Sequence, residues 1–66
     1  MLKELREAAG LSRLRLAIRA GLHPTTYGKI EKGNHRCNRA TAERIAEALG
    51  VEPESVFPDY ENLRRW

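Results

Sequence analysis

The chain has 66 residues, of which 41% are hydrophobic and 32% charged, and its net charge is +3. This length and composition fit one small folded domain and exclude a disordered chain. No apolar run approaches the roughly 18–20 residues that cross a bilayer, and the N-terminus lacks the pattern of a signal or transit peptide, so no membrane partner is expected. A single cysteine, Cys37, excludes an internal disulfide and favours a cytoplasmic location.

Capping residues and glycines divide the chain into short helical segments with tight connections. Ser12, His23 and Asn38 stand where N-caps are expected, before the second, third and fourth segments. A glycine follows each of the first four segments, where a left-handed residue commonly ends a helix. Apolar residues at helical spacing predict a core of Leu2, Leu5, Ala9, Leu16, Ala17, Ala20, Leu22, Tyr27, Ile30, Ala42, Ile45, Ala46, Leu49, Val51 and Val56.

The predicted fold is all-α, because no segment shows the sustained alternation of a β-strand. The fifth segment, Pro53–Phe57, is a short helix that Pro58 closes. We expect residues 1–58 to form the domain and residues 59–66 to form a C-terminal tail that can add one helical turn.

The second and third segments are joined by a link too short for antiparallel packing. Such a link favours two helices that cross steeply, as in a helix-turn-helix. Counted from Arg13, small Ala17 is fifth, where the second helix must approach closely, and Gly21 is ninth, where the turn needs positive φ. The spacing therefore predicts a helix-turn-helix whose second helix covers about 24–32.

Residues 2–57 resemble the Cro/cI-type (XRE-like) helix-turn-helix domains of bacterial and phage repressors. The resemblance is carried by LREAAGLSRLRLAIRAGL, YGKIEKG and ERIAEALGV, in the family's order and spacing. It implies a compact five-helix, lambda-repressor-like domain whose helices 2 and 3 form the helix-turn-helix. It also implies a transcriptional regulator, usually a repressor, that binds duplex DNA as a homodimer on a palindromic operator. In that family the third helix reads bases, while the start of the second helix and the loop after the third hold phosphates.

The third segment carries the candidate base-reading residues. If Tyr27 and Ile30 face the core, the opposite face is polar or small. Lysine can donate to guanine O6 and N7, and a threonine methyl can touch a thymine methyl. The alternative, that the lysines only complement the helix dipole, leaves a mid-helix glycine that costs about 1 kcal/mol without a purpose. The predicted base-reading set is Pro24, Thr25, Thr26, Gly28 and Lys29.

Positive charge is concentrated in residues 12–39, which hold seven Lys or Arg residues and one acidic residue, Glu31. Arg13 and Arg15 lie in the first turn of the second segment, where the helix dipole disfavours cations unless a phosphate binds there. A solvated basic surface is the alternative, for Arg15 in particular. We expect Glu31 to pair with Arg19 or Arg13. The predicted phosphate-binding set is Ser12, Arg13, Arg15, Lys32, Asn34, His35, Arg36, Asn38 and Arg39.

The tail carries Tyr60, Leu63 and Trp66 at helical spacing. These residues can form a dimer or partner contact, as in an antitoxin or adaptor module, or they can pack on the domain's own core. An enzyme is not expected, because the chain has no catalytic residue pattern and too small a core for a deep pocket. The sequence predicts no metal site, no cofactor and no small-molecule ligand.

Overall fold

The computed structural model of the protein describes residues 2–33 and 37–63. These ranges contain no strand, which agrees with the predicted all-α class. None of the helices in them is long and apolar enough to cross a membrane. The elements are α1 (Leu2–Ala8), α2 (Arg13–Arg19), α3 (Pro24–Glu31), α4 (Arg39–Leu49), α5 (Pro53–Val56) and a 3-10 turn (Tyr60–Asn62).

The three predicted N-cap residues each accept a backbone hydrogen bond from the first turn of their helix. Ser12 Oγ and Asn38 Oδ1 accept from the N–H three residues further on, at 3.1 and 2.8 Å. His23 Nδ1 accepts from the N–H of Thr25 at 3.2 Å, and Pro24 occupies the first position of α3. Because these bonds satisfy donors that a helix N-terminus leaves free, local sequence fixes where α2, α3 and α4 begin.

The turn between α2 and α3 depends on Gly21, whose φ is +71°. The Leu22 N–H donates to the Ala17 carbonyl at 2.8 Å and closes the end of α2. An L side chain is strained at such a φ, which explains the glycine at this place. The chain then enters α3, and α2 packs against both α3 and α4.

The core lies where α2, α3 and α4 meet, and Tyr27, Leu16 and Ile45 are its largest fully buried side chains. One predicted core residue, Ala9, follows the end of α1 and is exposed. Four others are only partly buried against the core: Leu5, Leu22, Leu49 and Val51. The remaining buried apolar residues are Leu2, Ala17, Ala20, Ile30, Cys37, Ala42, Ala46 and Val56.

Candidate nucleic-acid interface

No element within residues 2–33 and 37–63 covers the outer side of α3. Tyr27 is fully buried and Ile30 is 7% exposed, so these two side chains fix α3 against the core. Thr25 and Lys29 lie on the opposite side and are exposed, and their side chains make no hydrogen bond or ion pair with another described residue. Of the other candidate base-reading residues, Pro24 is exposed, while Thr26 and Gly28 are half-buried. Thr25, Gly28 and Lys29 therefore share the face opposite the core, while Pro24 and Thr26 lie at its two flanks.

Gly28 has no structural reason to be a glycine. A Cβ built on it would meet no atom within 4 Å, and its φ lies outside the left-handed region. A glycine inside a helix costs about 1 kcal/mol relative to alanine. Its effect here is to leave the α3 backbone bare beside Thr25 and Lys29.

A cationic groove lies beside this face and joins two predicted phosphate-binding residues, Arg13 and Lys32. It is lined by four cationic and two acidic side chains. The sequence did not single out Lys3, whose exposed ammonium adds to the groove from α1. The full lining is Lys3, Arg6, Glu7, Arg13, Glu31 and Lys32.

At the floor of the groove, Arg6 holds Glu31 in a forked ion pair. Arg6 Nε donates to Glu31 Oε2 at 2.9 Å and Nη2 to Oε1 at 3.3 Å, while Nη1 donates to the Leu11 carbonyl at 2.8 Å. The Tyr27 hydroxyl donates to Glu31 Oε2 at 2.6 Å. The network ties α1 to the last turn of α3 and so fixes how the free face of α3 is presented.

The network shifts the pKa of each of its members. Burial alone would raise the pKa of Glu31, but the hydrogen bonds from Arg6 and Tyr27 hold it below its ordinary value of 4.5. The bond to Glu31 raises the pKa of Arg6. Burial, followed by the bond to Glu31, raises the pKa of Tyr27. At neutral pH the pair is therefore fully charged and the tyrosine is protonated.

Comparison with known proteins agrees with this geometry. A sequence model described as a helix-turn-helix domain matches residues 1–56. The chain belongs to the helix-turn-helix domain family. The resemblance to Cro/cI-type domains and the expected five-helix fold are thus confirmed.

Two named proteins resemble this helix-turn-helix domain. It is 33% identical over 49 residues to the control protein C.BamHI of Bacillus amyloliquefaciens, an alignment that covers 74% of this chain and 60% of that protein. The chain therefore spans less than two thirds of that relative. The crystal structure of the restriction-modification controller protein C.AhdI from Aeromonas hydrophila superposes with a TM-score of 0.81, at 38% identity over 85% of each chain.

The expected partner of Glu31 in the helix-turn-helix domain was wrong. Glu31 forms its ion pair with Arg6. Arg13 adds only a weaker electrostatic attraction to Glu31, and Arg19 lines other grooves. Arg6 reaches Glu31 because α1 brings it to the end of α3, across 25 residues of sequence.

The other predicted phosphate-binding residues divide into three groups. Ser12 is exposed and Asn38 is half-buried. Both are N-caps, and their side-chain oxygens already accept backbone hydrogen bonds. Arg15 is exposed but lines a different groove, on the outer side of α2. Asn34, His35 and Arg36 lie outside the described residues.

Arg39 stays a predicted phosphate-binding residue, but the tail already contacts its guanidinium. Its guanidinium lies over the Tyr60 ring, 5.4 Å from the centroid, and donates to the Glu61 carbonyl. The tail returns along α4 and offers this half-buried arginine an aromatic face and a carbonyl.

For the tail, the structure supports packing on the core. Tyr60 and Leu63 are half-buried against it, and the Tyr60 hydroxyl donates to Glu43. That hydrogen bond raises the pKa of Tyr60. Trp66, the third tail residue considered, lies outside the described residues.

Proposed function

We infer that this helix-turn-helix domain is a transcription regulator that binds duplex DNA with α3 in the major groove. The observation that carries the inference is the uncovered face of α3, where Thr25, Gly28 and Lys29 are free beside a cationic groove. An α-helix fits the major groove, where every base pair presents its own pattern of donors and acceptors. The likeness to two control proteins supports a role in controlling the genes of a restriction-modification system.

In this proposal, the base-reading residues divide the recognition between them. Lys29 donates to guanine, and the methyl groups of Thr25 and Thr26 contact thymine. Gly28 lets the helix backbone approach the base edges, and Pro24 fixes the start of the helix without presenting a backbone donor. The absence of any side chain at Gly28 is thus a requirement of binding, since folding does not explain it.

Phosphates are held at the edges of the same face. Arg13 and Lys32 share one groove, so both can contact the same stretch of DNA backbone, and Lys3 extends the groove. Ser12, Asn38 and residues 34–36 are further candidates. A homodimer would place two such surfaces on a two-fold operator. Arg15 is the weakest member of the set, because it faces a different groove.

No second function has comparable support. Tyr60 and Leu63 pack on the core, so a tail-based adaptor or antitoxin contact is not favoured. The charged side chains of the cationic groove are explained by phosphate binding and by the structural Arg6–Glu31 pair. We therefore propose no enzymatic activity for this domain.

Selection of bound sequences from a random duplex pool tests the proposed function. We expect enrichment of one motif with two half-sites whose centres lie about 34–36 Å apart, one helical turn of DNA. Affinity for the selected duplex should fall with added salt, with a slope of about −0.9 for each phosphate contact. Enrichment from a single-stranded pool, with none from the duplex pool, would contradict the proposal.

Gly28→Ala should move stability and DNA binding in opposite directions. The free energy of unfolding should rise by about 1 kcal/mol, because alanine is the better helix former and its methyl group meets no neighbour. Affinity for the selected duplex should fall, because the methyl group stands between the α3 backbone and the base edges. Denaturation and fluorescence anisotropy measure the two effects. Unchanged affinity in the stabilised variant would show that DNA does not approach this face closely.

A further inference from the structure

The outer side of α2 carries an apolar pair that no described element covers. Leu14 and Ile18 are 55% and 66% exposed and lie one helical turn apart. They are the large apolar side chains left exposed within residues 2–33 and 37–63. Leu16 and Ala17, on the inner side of the same helix, are fully buried. The core of the domain therefore uses one side of α2 and leaves apolar surface on the other.

A row of arginines runs beside the apolar pair. Arg15 and Arg19 lie four residues apart, as the apolar pair does, so the outer side of α2 has an apolar ridge and a cationic ridge next to each other. Both arginines are exposed, and neither makes a side-chain hydrogen bond or ion pair with another described residue. The two pairs line one shallow groove, here called the α2 patch: Leu14, Arg15, Ile18 and Arg19.

The positive charge continues from α2 onto α4. Arg19 also lines a neighbouring depression with Arg44, Glu47 and Ala48. Two arginines against one glutamate leave this rim of the α2 patch positive. A surface that covers the patch must therefore bring more carboxylates than cations.

The two ridges restrict what can cover the α2 patch. A second copy docked symmetrically on the same patch would bring four guanidinium groups together, and like charges at short range repel. The backbone of duplex DNA offers phosphates to the arginines but no apolar surface to Leu14 and Ile18. The groove is too shallow to enclose a small molecule. What remains is a protein surface that has both apolar side chains and carboxylates.

We propose that the α2 patch binds an acidic amphipathic helix of a partner protein. Ridges of residues spaced four apart pack between the ridges of a second helix, so the partner needs an apolar row with a row of glutamates or aspartates beside it. The apolar row packs on Leu14 and Ile18, and the carboxylates pair with Arg15 and Arg19. The contact covers little more than one helical turn and is therefore weak and reversible. It uses no residue of α3, α5 or the tail, so it leaves the proposed DNA-binding face open.

Titration of the full chain with a designed peptide, followed by NMR, tests this contact. The probe is an acetylated peptide of alanine, leucine and glutamate, with leucines four positions apart and a row of glutamates beside them, and about 18 residues make it helical on its own. Backbone amide shifts should change along α2, and added salt should weaken the binding. Peptides with glutamine for leucine, or with lysine for glutamate, should each bind at least about tenfold more weakly.

Variants of the α2 patch separate its two ridges. Leu14→Gln/Ile18→Gln should weaken peptide binding by about tenfold or more, because two apolar side chains are lost from the contact. Arg15→Gln/Arg19→Gln should weaken it as well and should also reduce its dependence on salt. All four side chains are exposed, so circular dichroism should show that both variants stay folded.

A matched variant and a lipid probe complete the test. Lys3→Gln/Lys32→Gln removes two exposed cations from the cationic groove and should leave peptide binding unchanged. Equal loss in this variant, or shifts confined to residues outside α2, would overturn the proposal. Binding to phosphatidylglycerol vesicles through the α2 patch, with none to the peptide, would overturn it in favour of a lipid surface. Since DNA is absent, these results do not bear on the proposed function.

Discussion

Arg6→Met should lower the free energy of unfolding by about 3 kcal/mol. This value is near the lower end of what breaking a buried ion pair costs, because the Arg6–Glu31 pair lies at the floor of an open groove. The loss arises because Glu31 would keep a buried charge without its forked partner. Denaturant unfolding followed by circular dichroism measures it. Because a small domain is marginally stable, part of the variant should be unfolded even without denaturant.

Two further variants separate loss of the ion pair from loss of packing. Arg6→Met/Glu31→Gln should recover most of the stability, because no buried charge remains and the glutamine oxygen still accepts from Tyr27. Arg19→Met, which removes an exposed arginine, should change stability by no more than about 0.5 kcal/mol. If the double variant were as unstable as Arg6→Met, the methylene packing of Arg6 would be its main contribution.

The difference in stability between wild type and Arg6→Met should depend on pH. The pKa of Glu31 is lower in the folded protein than its ordinary value of 4.5, so its stabilising contribution is complete above that pH and is lost as the pH falls through the folded value. In Arg6→Met the buried carboxyl group avoids its penalty by taking up a proton in acid. The gap in stability between wild type and Arg6→Met should therefore begin to narrow as the pH falls toward 4.5 and narrow further below it. A gap of constant size would contradict a charge-based origin.

Much of the fold could be predicted because its determinants are local. Ser12, His23 and Asn38 cap the helices that follow them, and Gly21 adopts the positive φ that the turn needs. A cap bond or a left-handed residue depends on neighbours within four positions, which the sequence shows directly. Helical spacing likewise placed Tyr27 in the core, and with it the orientation of α3.

The features that could not be predicted depend on contacts between distant parts of the chain. Spacing does not show that Arg6 folds over the end of α3, because a long charged residue on α1 is usually solvated. Arg39 follows a helix cap in the basic block, and the sequence does not show that its guanidinium lies over the ring of Tyr60, 21 positions away. Leu14 and Ile18 lie off the buried stripe of α2, and only the folded structure shows that no other described element covers them.

Lys29→Ala should weaken binding to the selected duplex by about 1–3 kcal/mol and relax the base preference at one position of each half-site. Lys29 is exposed on α3, and in the proposed complex its ammonium donates to a guanine in the major groove. A lysine that contacts phosphate would instead weaken binding to all sequences alike and reduce the salt slope by about one contact. A base contact and a phosphate contact at Lys29 therefore have different effects on sequence specificity and on affinity.

Repeating the duplex selection with the variant distinguishes these roles. The Lys29→Ala motif should lose its guanine preference at that position and keep the rest, whereas Lys3→Ala, which removes an ammonium from the cationic groove, should leave the motif unchanged. Both lysines are exposed, so neither change should lower the free energy of unfolding by more than about 0.5 kcal/mol. If the Lys29→Ala chain selected the wild-type motif with uniformly lower affinity, Lys29 would be a phosphate contact, and base recognition would depend on Thr25, Thr26 and the α3 backbone at Gly28.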